Sequence, residues 1–386
     1  MSEYKNKKGG AHLQKKEKKP RTRKEKIRLT VILVLVILLA LVLVLFAVYR
    51  AWAKPPVLSD QPSLKDQGGS GNSVADTIPG VEVGGDRKED FYTFLVVGRD
   101  TGGGGNTDTI LLAAYDIPNQ KLNVMSIPRD TMVNIPYDIK RINAVYNYAG
   151  GGDEGIQALY TEVSQLVGFV PDYEVVVEWK AVGELVEAIG GVWFDVPRNM
   201  SYDDPTQDLH IHINKGYQLL DGEQAMKVIR WRQNNDGTGY VTGDIGRIET
   251  QQAFLKAVVE QCLKIENVTK IQQFAKIFTE NVQTDLTVGN LVWFAEQAIF
   301  GGLTMENVNF ITLPGDYNAT AWSRNYQNYQ SYVLPNAEEL LAVVNESFNP
   351  YLADRTTTGL DIMSVNKDGS LSSTTGMVED SAAASR

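Results

Sequence analysis

The apolar positions of this chain fall into two regimes. From Leu29 to Val48 they are continuous, a run without charge built almost entirely from Val, Leu and Ile. At ~1.5 Å of rise per residue a helix of that length measures ~30 Å, the thickness of a bilayer's hydrocarbon core. Beyond about residue 89 the apolar positions become periodic. Phe91–Val97, Thr109–Tyr115 and Lys121–Ile127 read as buried strands, as do Tyr173–Trp179, Val192–Val196 and Val308–Leu313. Gly152–Val167 has helical spacing, with Ile156, Leu159, Val163 and Leu166 on one face. Ala181–Ile189, Asp221–Ile229, Asp244–Leu263, Ile271–Thr279, Val288–Phe300 and Asn336–Asn345 repeat that spacing. Strands interleaved with helices predict a layered α/β or α+β domain over residues 89–352.

Charge sets the orientation of these parts. The formal net charge is −10, but residues 1–28 carry 12 Lys and Arg against three acids. The positive-inside rule therefore predicts a cytoplasmic tail at 1–28, a transmembrane helix at 29–49 and everything later outside. Ala51-Trp52-Ala53 has the small-x-small form of a signal-peptide cleavage site, but the apolar run is longer than such peptides use. The reading is a single-pass type II cell-membrane protein. Residues 50–88, with Gly68-Gly69-Ser70-Gly71, have the composition of a flexible linker, and 353–386 that of a disordered tail. The acidic body argues against nucleic acid as a partner. One cysteine excludes a disulfide framework, and no Cys/His cluster has zinc spacing.

Three stretches carry possible chemistry. Asp100 and Asp108 bracket a glycine-rich loop between two strands, which suits either a hard divalent cation or a plain hairpin turn. Arg129-Asp130 directly follows a buried strand, as a surface ion pair or with the guanidinium on a phosphate. Arg230 and Arg232 precede Asp244, Arg247 and Gln251, and those last three share one face of a helix. His210 and His212 alternate with isoleucine on a half-exposed strand, and Cys262 reads as a core residue.

In order, VVGRD (96–100), TDTILL (107–112), SIPRDT (126–131), INAVYNYAGG (142–151), LVEAIGGVWFDVP (185–197), GYQLLDGEQAMKVIRWR (216–232) and DIGRIETQQ (244–252) resemble the LytR-CpsA-Psr family of cell-wall glycopolymer ligases. The resemblance is good over about 91–265 and looser to about 352. It implies a central mixed β-sheet flanked by helices. It also implies transfer of a glycopolymer from a polyprenyl-pyrophosphate carrier to peptidoglycan, with Mg²⁺ as cofactor. Carried across, Asp100 and Asp108 would bind the metal. Arg99, Arg129, Arg141, Arg230, Arg232, Arg247 and Gln251 would bind substrate, oriented by Asp130 and Asp244. Asp100, Arg129 and Arg247 would act in catalysis, Asp100 being the candidate base.

Three positions depart from the pattern of many relatives. Asn106 and Thr250 stand where arginines are common, and Arg141 where lysine is usual. Arg99 or Lys140 would supply replacement charge. The lipid channel is expected between the sheet and the inward faces of 156–166 and 181–189. Two other readings are a polyprenyl-pyrophosphate binder or pyrophosphatase, and a membrane-anchored transcriptional regulator. The topology has a direct test: protease added to wall-less cells should trim the chain beyond Tyr49 and spare residues 1–28. A mature species beginning near Lys54 would overturn the anchor.

Overall fold

The computed structural model describes residues 49–58, 78, 81, 85–99, 107–206, 208–264, 266, 270–380 and 382. The predicted tail and nearly all of the predicted membrane span lie outside that set. Residues 49–52 are helical and belong to an N-terminal unit. No helix among the described residues is long and apolar enough to cross a membrane. The second unit begins at Ala53.

Six strands make the central sheet of that unit. β1 (Phe91–Arg99), β2 (Thr107–Asp116) and β3 (Lys121–Ile127) form an antiparallel meander, as their apolar runs predict. β4 (Tyr173–Glu178) adds parallel to β1. Hairpin-like pairs outside this sheet follow: β5 (Val192–Val196) with β8 (Gly216–Leu220), and β6 (Met200–Asp204) with β7 (Leu209–Ile213). β9 (Val282–Thr284) closes one edge antiparallel to β4, and β10 (Val308–Thr312) closes the other parallel to β3. The order is β10-β3-β2-β1-β4-β9, a mixed sheet. β11 (Gly315–Ser323) and β12 (Asn328–Pro335) form a further hairpin, as do β13 (Met363–Val365) and β14 (Leu371–Ser373).

Helices cover both faces. α1 (Ile142–Tyr148) and α2 (Gly152–Val167) precede β4, and α3 (Trp179–Ile189) follows it. α4 (Gly222–Arg230), α5 (Asp244–Cys262), α6 (Ile271–Asn281), α7 (Val288–Gly301) and α8 (Ala337–Ser347) complete the set. Side-chain alternation along β1 sorts the layers. Leu95 and Val97 join Ile156, Leu159, Val163 and Leu166 of α2 and Leu340 and Val344 of α8 in one core. Tyr92 and the half-buried Val96 face the other way, with Tyr92 against Trp293 and Phe294 of α7. Start signals in the sequence hold: Asp221 with Gln224, and Thr287 with Asn290, form capping boxes, and Asn336 caps α8.

Two expectations are corrected. The 353–386 tail is not disordered as far as Asp380. Leu360, Ile362 and Met363 are fully buried among the helices and strands. Asp361 accepts a hydrogen bond from Asn134 at 2.8 Å, and Arg324 pairs with Asp380. The Ser/Thr-rich composition concealed this because four well-placed apolar residues suffice for the two short strands. The 50–88 linker is also anchored at both described ends. Lys54 and Val57 offer carbonyls to Asn290 and Tyr173. Arg87 pairs at 2.8 Å with Asp172, which also accepts from the Thr93 amide and hydroxyl. Residues 59–77 of that linker lie outside the described set.

A chain ending at Gly359 loses the buried side chains of Leu360, Ile362, Met363 and Leu371, together on the order of 6 kcal/mol of burial. Its urea unfolding midpoint should fall sharply; an unchanged midpoint would make the segment a mere surface appendage.

Candidate active site

Because β2 runs antiparallel to both β1 and β3, and β4 and β10 run parallel to those two, four strands point their C-terminal ends to one edge. Open α/β sheets place their ligand sites at such an edge. Here the edge opens into a cavity of about 190 Å³, between the sheet and helices α3, α4 and α5. Its wall is mostly apolar, with Val96, Leu111, Val177, Leu185, Phe254 and Val258 among the lining residues. Polar groups come from two places, the β3 end (Ser126, Arg129) and the first half of α5 (Arg247, Gln251, Gln252).

Helix α5 produces this division through its own sequence. Arg247, Gln251 and Leu255 are four residues apart, so they stack along one face, polar first and apolar later. Arg247 is buried, a setting in which a guanidinium is normally held by partner groups. Gln251 donates to the Ile229 carbonyl at 3.2 Å and so fixes α5 to the end of α4. Gln252 donates to Ser126 Oγ at 2.9 Å and Thr312 Oγ1 at 3.0 Å, fixing α5 to the ends of β3 and β10.

At the β3 end, Asp130 lies between two arginines. Its carboxylate is 3.9 Å from Arg129 Nε and 3.3 Å from Arg141 Nε. Arg141 also donates to the Ser331 carbonyl at 3.0 Å and lies over the Tyr332 ring. Arg99, the last residue of β1, places its guanidinium over Tyr146 of α1.

The structure thus brings Arg129, Arg247 and Gln251 to one cavity and ties Arg141 to it through Asp130. Arg230 ends α4, next to the cavity residue Ile229, while Arg232 is exposed beyond the helix. Asp100 lies outside the described residues. Asp108 is placed only by its backbone, where pairing steps from Thr109 to Thr107 across a bulge in the ladder. The side chain of Asp244 is likewise not described. Lys140 is corrected as a replacement cation: it is buried away from the cavity, with Nζ on the Ile135 carbonyl. Thr250 is buried too and bonds back to the Gly246 carbonyl. The α2 wall is corrected as well, since Ile156–Leu166 pack on the opposite face of the sheet and α5 takes that place.

Outside this site, His210 and His212 share one oxygen of Asp203 on an exposed strand. No group of three or more His, Cys, Asp or Glu among the described residues could hold a metal ion. Burial pushes the Cys262 thiol up to about 11, which leaves it unreactive. Gln252 was missed by sequence reasoning; its only signal was position, one residue after Gln251 at the edge of an apolar stripe.

The fold and the site define a mixed-sheet α/β protein with an apolar cavity rimmed by arginine. The chain belongs to the LytR_cpsA_psr family, whose model matches residues 64–348. It is 27% identical over 239 residues to the polyisoprenyl-teichoic acid–peptidoglycan teichoic acid transferase TagV of Bacillus subtilis, a match covering 60% of this chain and 58% of that protein. It is 27% identical over 227 residues to the regulatory protein MsrR of Staphylococcus aureus, covering 58% of this chain and 64% of that one. The matched stretch thus spans about six tenths of those relatives' length. The crystal structure of B. subtilis TagV superposes with a TM-score of 0.53 at 25% identity, covering 67% of this chain and 96% of that chain. A transcriptional regulator of Enterococcus faecalis shares the fold at a TM-score of 0.54, covering 70% of this chain and 91% of that one, with 18% identity.

Replacing Gln252 by Leu strands the Ser126 and Thr312 hydroxyls without their donor. The unfolding free energy should drop by about 1–3 kcal/mol, measured by urea denaturation. No change would mean that the α5 tether is dispensable.

Proposed function

We propose that this protein is a phosphotransferase that moves a glycopolymer from a polyprenyl-pyrophosphate carrier to peptidoglycan. The observation that carries the reading is a single cavity lined both by apolar side chains and by two guanidinium groups, Arg129 and Arg247. Such a cavity matches an amphiphile with an apolar chain and an anionic head. An isoprenoid tail gains by leaving water, and a guanidinium offers pyrophosphate a planar, permanently charged fork. TagV, by its name, is such a transferase, and the family match covers the cavity residues.

The reaction is a displacement at phosphorus. A hydroxyl of the acceptor attacks the phosphorus that bears the glycan. The bond from that phosphorus to the bridging oxygen breaks, and polyprenyl phosphate leaves. The hydroxyl proton passes to a base, for which Asp100 is the candidate. Negative charge spreads over the transferring phosphoryl oxygens, and fixed cations at that position lower the barrier. Arg129 and Arg247 are fixed by the end of β3 and the first turns of α5. Asp130 offsets the repulsion between Arg129 and Arg141, so both can face one anion.

Asp100 and Asp108 would hold Mg²⁺ beside this head group, where the metal would add charge neutralisation. The sequence position supports the assignment: Gly98 and Thr109, two residues before Asp100 and one after Asp108, line the cavity. Bulges of the kind found at Asp108 commonly re-aim residues next to active sites. The 29–49 segment would anchor the protein in the membrane that holds its donor, with the domain on the wall side.

The test uses the full chain in detergent, a labelled lipid-linked glycopolymer and purified peptidoglycan. Label should become wall-bound, and chelation of divalent metal should stop it. Arg247→Lys should slow turnover about 10-fold or more, because an ammonium cannot reproduce the bidentate contact. Label released as free phosphate-terminated glycan, with none on the wall, would make the protein a hydrolase instead.

A further inference from the structure

The surface beyond Arg141 carries an aromatic ledge that the proposed chemistry leaves unused. On the outward face of the β11–β12 hairpin, Trp322 stands in register with Tyr329, their rings 5.3 Å apart and nearly perpendicular. Nearby, Tyr137 and Tyr148 pack with centroids 4.2 Å apart and ring planes tilted by 32°. The hairpin turn joins the two pairs. Ser323 Oγ and the amides of Arg324 and Asn325 all donate to the carboxylate of Asp138, the neighbour of Tyr137. Tyr326 follows in that turn. Burial, then the proximity of Tyr326, Asp138 and Tyr137, raises the proton affinity of the Tyr148 phenol.

Five large aromatic side chains are left in water here, from 37% exposed at Trp322 to 69% at Tyr329. Soluble surfaces that keep such a patch use it for contact, and Tyr and Trp give contact area at little conformational cost. The ledge is continuous with the active site. Arg141 bonds to Ser331, on the same outward hairpin face as Tyr329, and pairs with Asp130. Its one guanidinium is already taken up by two carboxylates: Asp138 pairs with Arg324, and Arg324 with Asp380. An anionic polymer therefore gains nothing from the ledge itself. An uncharged pyranose does: its axial C–H face matches an aromatic ring, and its equatorial hydroxyls and amides match phenols and exposed backbone carbonyls.

We propose that this ledge binds the acceptor's glycan strand, a polymer of neutral N-acetylated hexopyranoses, and feeds its hydroxyl toward Asp130 and Arg129. The proposal rests on the transferase reading above and adds the acceptor's subsite to it.

The experiment titrates the full chain in detergent with β-1,4-linked N-acetylglucosamine hexamer by calorimetry. In parallel it titrates a short prenyl pyrophosphate, and vesicles of anionic phospholipid. Saturable hexamer binding is expected. Trp322→Ala, Tyr329→Ala and Tyr326→Ala should each weaken it about tenfold, while Trp322→Phe retains most of it. Prenyl pyrophosphate affinity should be the same in all variants, which also reports that they are folded. No hexamer binding, or equal binding by the variants, overturns the ledge as a glycan site. Loss of vesicle binding in place of hexamer binding overturns it in favour of a membrane contact. If the hexamer binds the ledge but prenyl pyrophosphate binds nowhere, the subsite stands and the lipid-carrier reading falls.

Discussion

Asp130 sits between two guanidinium groups while its backbone is held from the opposite side. Its carbonyl accepts the Val333 amide at 2.9 Å, so β12 fixes the residue that in turn fixes Arg129 and Arg141. Arg129, just past the end of β3, and Arg141, at the start of α1, would otherwise repel each other. With a carboxylate between them, Arg129 lines the cavity while Arg141 stays close to it, against β12. The rest of the mouth is built around this arrangement. The α1 start packs on the same turn, where Asn143 and Ile142 donate to the Arg129 and Thr131 carbonyls. The cation supply of an acidic domain is thereby concentrated at one edge of the sheet.

Much of the architecture was legible before any coordinates. β1 to β4 and the long helices have strong, unbroken apolar periodicity, so tertiary contacts only reinforce the local preference. The elements that escaped are those with weak internal pattern. β9 has three residues, and β12 opens on Asn-Tyr-Gln-Ser without a clean apolar alternation; each is stabilised by its partner strand more than by its own composition. The same holds for 360–373, where a few buried apolar residues sit inside a Ser/Thr-rich stretch.

The site was legible in part. Arg129, Arg247 and Gln251 adjoin the ends of apolar elements, and strand direction then delivers those ends to one edge. Lys140 shows the limit of reading charge from sequence. It follows a polar turn and looks exposed, yet Tyr332 and the C-terminal segment cover it, and burial lowers its proton affinity. Only long-range packing decides between a cation that meets a ligand and one that meets a carbonyl. The channel wall likewise turned on which face of β1 each helix takes, a choice that helical periodicity alone leaves open.

The burial of Leu360, Ile362 and Met363 bears on how the domain is made. Leu360 and Ile362 complete a core whose first strand begins at Phe91, so the contact spans nearly the whole domain in sequence, while Met363 packs with Met132 and Tyr332. Contacts of such separation close late and slowly. Until this segment docks, one side of the core lacks these side chains and Asn134 lacks its Asp361 acceptor. Burial beside Glu379 and Asp361 raises the proton affinity of Glu162, so its environment is finished only when the last strands arrive. An insertion between Gly359 and Leu360 would separate these side chains from the packing they complete, whereas an extension after Asp380 leaves it intact.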